Sequence, residues 1–141
     1  MADPRKTVVW SAVGDYITVK ADGSTIVYSA TAAYGCADVG KAVTLSTDDT
    51  AALAGDGEAV LGRLEKVGPD GYCTVKWRGD VKLPGGTSAT LTLGAKIVGD
   101  LLVIAKGFIQ AAASGTAAHH VVSRGLIVNN DDTDNVVVLL N

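Results

Sequence analysis

A chain of 141 residues with a formal charge of −3 and an isoelectric point near 5.2 can bury one core unaided, and is too acidic to present a nucleic-acid-gripping face. No stretch approaches 18 consecutive apolar residues, which excludes a membrane-spanning helix, and no basic run is longer than Arg5-Lys6. The 48% apolar fraction is mostly Ala and Val, and Asp outnumbers Glu by 13 to 2.

Asp competes for backbone hydrogen bonds and favours turns. Together with 17 Gly and many Val, Ile and Thr, it predicts short strands joined by tight turns. Met1–Lys6 read as a short N-terminal arm. The segment that follows lacks the apolar run of a signal peptide, so synthesis is expected in the cytoplasm. "TVVWSAV" (7–13) and "YITVK" (16–20) are the first predicted strands. Ala21-Asp22-Gly23 then reads as a hairpin turn that returns "STIVYS" (24–29) as a strand. "KAVTLS" (41–46) is another strand, and "STDDTAALAGDGEA" (46–59), crowded with turn residues, reads as an exposed loop.

The most regular stretch follows. "AVLGRLEKV" (59–67) and "YCTVKWRGDVKL" (72–83) flank Gly68-Pro69-Asp70-Gly71, a predicted hairpin turn. Cys73, Val75, Trp77, Gly79, Val81 and Leu83 share one parity, and Tyr72, Thr74, Lys76, Arg78, Asp80 and Lys82 the other, the pattern of a half-buried strand. Gly79 is the expected place for a bend at a barrel corner. The charges Arg63, Lys66, Lys76, Arg78 and Lys82 balance Glu58, Glu65, Asp70 and Asp80, as expected for cross-strand pairs or for the rim of a protein contact. Later strands are predicted at 89–94, 95–99, 101–106, 108–113, 125–130 and 135–140. One short helix is predicted within "SGTAAHHVVSRG" (114–125), capped by Ser114 or Thr116 and stopped by Gly125. The pattern is all-β: residues 7–141 form a single-domain β-barrel, or barrel-like sandwich, of short antiparallel strands with at most one short helix.

Catalytic and metal motifs are hard to find. His119-His120 are adjacent and point apart, so they do not readily share a metal ion. Cys36 and Cys73 belong to no CxxC pattern and read as buried thiols. Asp131, Asp132 and Asp134 lack the glycine and closing glutamate of a calcium loop and read as a solvated turn. Gly55, Gly57 and Gly62 miss the dinucleotide spacing, and no serine sits in a GxSxG context. No enzyme activity, cofactor or metal is expected. Surface and shape carry what is left of the reading. Trp10 and Trp77 are contact anchors or core fillers, and Lys76, Arg78, Arg5 and Lys6 are charged candidates for the same interface. The Ala-rich stretches 29–33 and 109–118 are alternatives for close subunit contact.

Residues 38–109 resemble the small head-decoration, or capsid cement, proteins of tailed bacteriophages. The resemblance lies in "VGKAVTLS", "ALAGDGEAVLGRL", the Gly-Pro-Asp-Gly hairpin, "VKLPGG" and "LGAKIVG", with an echo in "VVSRGLIVN" (121–129). It implies a structural virion protein, commonly a homotrimer, on the outer surface of the phage head. There it would clamp neighbouring major capsid protein subunits, with no catalytic residue to carry over. No nucleic-acid or membrane partner is expected. The rival reading is a carbohydrate- or host-surface-binding β-module of a head fibre or tail. That module would expose Tyr16, Tyr28, Tyr34, Tyr72, Trp10 and Trp77.

Overall fold

The computed structural model describes residues 16–87, 91–113 and 117–140. The expected arm 1–6, the strand expected at 7–13 and the cap candidates Ser114 and Thr116 lie outside them. The described chain is all-β. Its strands are β1 (Tyr16–Ala21), β2 (Ala42–Thr47), β3 (Thr50–Leu53), β4 (Gly62–Val67), β5 (Tyr72–Lys76), β6 (Gly79–Leu83), β7 (Ile97–Leu102), β8 (Ala105–Ala111), β9 (Leu126–Asn129) and β10 (Val136–Leu140). The helix α1 (Ala117–Val122) falls within the predicted segment, and Gly125, at φ +76°, follows it.

The first five strands close a small barrel in the order β1-β3-β2-β4-β5, with β5 returning to β1. Its ladders are antiparallel except β1–β3, which run parallel through Lys20↔Thr50 and Ala21↔Ala51. Ile26, Val43, Leu53, Leu64, Val67, Cys73 and Val75 fill the interior. With so few aromatics available, small and β-branched side chains pack this narrow space, where a bulkier set would force strain. The remaining strands build a three-stranded sheet, β6-β10-β9, and a two-stranded ribbon, β7-β8. A second core gathers Leu83, Ile97, Ile109, Ile127, Val136, Val138 and Leu140, together with Ala42, Ala54 and Val60 from the barrel side.

The predicted β4–β5 hairpin forms, closed by Gly68 N–H to the Tyr72 carbonyl at 2.8 Å. The alternating run 72–83 is one stretch of chain in two sheets. Cys73 and Val75 point into the barrel core, Val81 and Leu83 into the second core, and the crossing lies at Trp77-Arg78. Gly79, at φ +94°, supplies the expected bend. Trp77 is half-buried at the corner.

Four expectations fail, each for a local reason. Residues 24–29 do not return as a strand. Both sides of β1 are already taken by β3 and β5, and Asp22 captures the backbone that would have laddered. Its carboxylate accepts the N–H groups of Ser24, Thr25 and Ile26 and the hydroxyls of Ser24 and Thr25. Residues 46–59 are not one exposed loop: Ala51, Ala52, Leu53 and Ala54 are buried in and just after β3. The turn-forming Asp48-Asp49 and Gly55-Asp56-Gly57 flank that short strand and hide it in the sequence. Residues 91–94 of the predicted strand 89–94 are irregular, and Leu91 drops into the second core. Finally, "LLVIAK" (101–106) is not one strand: Leu101-Leu102 end β7, Val103-Ile104 turn, and Ala105-Lys106 begin β8.

Cys36 and Cys73 are both free and buried. Burial, with Asp22 and Cys36 nearby, pushes the Cys73 thiol up to about 11. At Asp22, burial by itself would raise the carboxyl pKa. The hydrogen bonds from Ile26, Thr25 and Ser24 outweigh it and hold the group below its ordinary value. A folded-state value below the unfolded one means that the unfolded chain binds more protons in acid. This contribution is therefore complete above pH ~4 and fades as pH falls through the lowered folded value. Asp22→Asn should lose less stability than the wild type between about pH 6 and pH 2.5. Because the carboxylate is partly exposed, the difference should stay below about 1 kcal/mol, read from urea midpoints at the two pH values.

Candidate interaction surface

Three of the predicted contact residues, Lys76, Trp77 and Arg78, stand together at the corner between the two sheets. Trp10, Arg5 and Lys6 lie outside the described residues. The Arg78 guanidinium lies 5.4 Å from the Trp77 ring centroid, which steadies both side chains at the surface. Lys76 turns the other way. Its ammonium lies 5.9 Å from the Tyr16 ring and donates to the Asp80 carbonyl at 3.1 Å.

Lys76 therefore lines a cleft of about 260 Å³ with Tyr16, Arg63, Glu65, Asp80, Val81 and Lys82. The predicted cross-strand charge pairs do not form among the described residues. Arg63 pairs with Glu65 on its own strand, and its Nε donates to the Lys82 carbonyl at 3.1 Å. The reason is the change of sheet: Asp80 and Lys82 have left the ladder that holds Arg63 and Lys76. Arg63 and Lys76 both donate to backbone carbonyls at the edge of β6, so the cleft follows the seam between the two sheets.

Behind the corner sits a residue the sequence did not single out. Arg124, just after α1, donates from one guanidinium nitrogen to the Leu61 carbonyl and from another to the Trp77 carbonyl, each at 2.7 Å. Its own backbone bridges Ile97 at the start of β7. Burial, with Arg78 close by, lowers its pKa from the usual guanidinium value. Only an arginine fork spans such points at once. Nothing in the composition around "SRG" announces this, because the two acceptors are backbone atoms 63 and 47 positions away.

His119 and the acidic loop make local hydrogen bonds. His119 Nδ1 accepts the Ala113 N–H at 3.0 Å, fixing the approach to α1. In the loop 131–134, Asp132 accepts from the Asp134 N–H and the Asn135 side-chain amide, and these bonds lower its pKa. Among the described residues, no group of three or more His, Cys, Asp or Glu is placed to hold a metal ion. No helix of the described chain is long and apolar enough to cross a membrane.

What the molecule does display is apolar and aromatic surface. Tyr16, Tyr28, Tyr34 and Tyr72 are all exposed. Leu102, at the end of β7, and the turn residues Val103 and Ile104 are exposed as well, the last two at 78% and 85%. These side chains sit on a framework in which stretches of the edges of β7, β8 and β9 meet neighbouring backbone. Gly94 and Ala95 bond both sides of Ile127 on β9, Glu58 and Thr87 line β7, and Pro84, Gly86 and Ala54 line β8. Covered edges suppress adventitious strand pairing and leave side chains as the means of contact. No protein-family model, curated protein or solved structure matches this chain.

Proposed function

We propose that this chain is a structural virion protein of a tailed phage. In this reading it binds the outer surface of the expanded head as a homotrimer and stabilises the shell by clamping neighbouring major capsid subunits. The sequence resemblance over residues 38–109 points there. The observation that supports it is the display of large apolar side chains, with Val103 and Ile104 the most exposed on the ribbon. A cement protein works by surface complementarity repeated over a lattice. Each further contact forms at high local concentration and needs no deep pocket.

Expanded heads carrying the protein should resist heat by several degrees more than heads without it, measured by DNA release on a temperature ramp. Equal melting temperatures would refute the role. The four exposed tyrosines favour the second reading, a glycan-binding module, since stacking on sugars needs open aromatic faces. Binding to an arrayed surface polysaccharide with no effect on heads would decide for that reading instead.

A further inference from the structure

We infer that the cavity between β2, residues 59–61 and Arg124 is a binding site for a short aliphatic carboxylate. The site goes beyond the head-binding reading and does not depend on it. The cavity measures about 240 Å³ and is lined by Thr44, Leu45, Ala59, Val60, Leu61 and Arg124. At roughly 30 Å³ for each water-sized group, it admits a ligand of about eight non-hydrogen atoms. Its walls are tied to one another. The Leu61 N–H donates to the Val43 carbonyl on β2 at 2.7 Å, and the Leu61 carbonyl accepts from Arg124 at 2.7 Å. Arg124 is in turn bridged through its backbone to Ile97. Walls held in this way lose little ordering entropy when a ligand enters.

The residue that points to a ligand is Thr44. It shares its parity on β2 with Ala42, which lies in the second core with Val60. Its side chain therefore turns away from the barrel interior, to the side where Val60 and Arg124 line the cavity. Thr44 is only 7% exposed, yet its hydroxyl has no hydrogen-bond partner among the described residues. A buried hydroxyl left unbonded destabilises a fold, and valine, of the same shape, would suit the strand as well. Threonine here weakens the protein unless a ligand meets its hydroxyl. Leu45, Ala59, Val60 and Leu61 supply apolar walls for a hydrocarbon chain, and Arg124 supplies positive charge beside them. Arg78 is a second cation close to Arg124. None of the six lining residues is acidic, and Glu58, next to Ala59, accepts the Gly55 N–H at 2.6 Å. An alkyl chain ending in a carboxylate matches this division. Its tail lies along the aliphatic walls, one oxygen accepts from the Thr44 hydroxyl, and its charge faces the guanidinium.

The test uses the full chain and three probes of one length: hexanoate, 1-hexanol and hexylammonium. Each is titrated into the wild type, Thr44→Val and Leu45→Asp, with binding read from amide chemical shifts and stability from thermal unfolding. Hexanoate should give saturable shifts confined to residues 44–45, 59–61 and 124. Hexanol should bind at least tenfold more weakly than hexanoate, and hexylammonium more weakly still. Thr44→Val should lose about tenfold or more in hexanoate affinity, as expected for a hydrogen bond to a charged group. Its Tm should equal or exceed that of the wild type, because the hydroxyl it removes is unbonded in the folded chain. Leu45→Asp, a change at a residue 55% exposed, should repel the carboxylate and cost affinity by a similar factor with little change in Tm. A Tm several degrees lower for Thr44→Val would show the hydroxyl serving the fold, through water or another part of the chain, and would overturn the site. Shifts that scatter over the surface or fail to saturate would overturn it as well, as would equal hexanoate affinity in the wild type and Thr44→Val. Equal binding of hexanol and hexanoate would overturn the choice of an anion.

Discussion

Gly62→Ala should come close to abolishing the fold. Gly62 opens β4 where it crosses behind β5, and a Cβ there would fall on the Lys76 carbonyl oxygen. It would also lie 2.8 Å from the Lys76 carbonyl carbon and 2.9 Å from the Trp77 Cα. All three are backbone atoms, so no rotamer change relieves the clash. Nor can that backbone retreat, because Lys76 is paired with Tyr16 on its other side and the Trp77 carbonyl is held by Arg124. Overpacking in a core typically costs 1–3 kcal/mol, and with both strands fixed we expect about 3–5 kcal/mol here. Urea unfolding of Gly62→Ala against Gly23→Ala provides the measurement. Gly23, at φ +78°, has open space around its Cβ direction, so alanine there meets only backbone strain of about 1 kcal/mol. Similar losses in the two variants would refute the close-approach account.

Arg124→Ala should also be damaging, at about 2–4 kcal/mol. The guanidinium serves the Leu61 and Trp77 carbonyls at once, and hydrogen bonds from a charged group are each worth about 1.5–3 kcal/mol, with partial exposure reducing the sum. Arg124→Lys should recover only part of the loss, since an ammonium lacks the planar fork. Chemical denaturation of the three proteins would show the order Arg, Lys, Ala. A lysine variant as stable as wild type would mean that charge alone matters at this site.

Both effects centre on the stretch whose pattern was plainest in the sequence. Period-2 alternation over 72–83 is legible because the same parity is buried at both ends, Cys73 and Val75 in one sheet and Val81 and Leu83 in the other. The change of sheet left no trace in that parity, and only Gly79 hinted at it. Local turn chemistry misled in proportion to how completely it is satisfied locally. Asp22-Gly23 has the residues of a hairpin, yet the Asp22 carboxylate spends itself on the next turn of chain. Asp48-Asp49 and Gly55-Gly57 made a buried strand look like loop. The opposite error fell at Val103, where a turn is built from residues that read as strand because Thr87, 16 positions away, holds it. The predicted contact residues Lys76, Trp77 and Arg78 are adjacent in sequence, so their grouping was legible. Arg124 was not, because its partners are carbonyls of remote segments and any sequence supplies carbonyls.

The place of β10 in its sheet bears on the order of events during synthesis. The barrel draws its strands from residues 16–76, all present once the first half of the chain has left the ribosome. The second sheet is different, because β10 is its middle strand, with β6 on one side and β9 on the other. Neither ladder can close before residues 136–140 emerge. Until then the inward faces of Val81, Leu83 and Ile127 wait without their central partner, and this sheet is assembled only when β10 joins it.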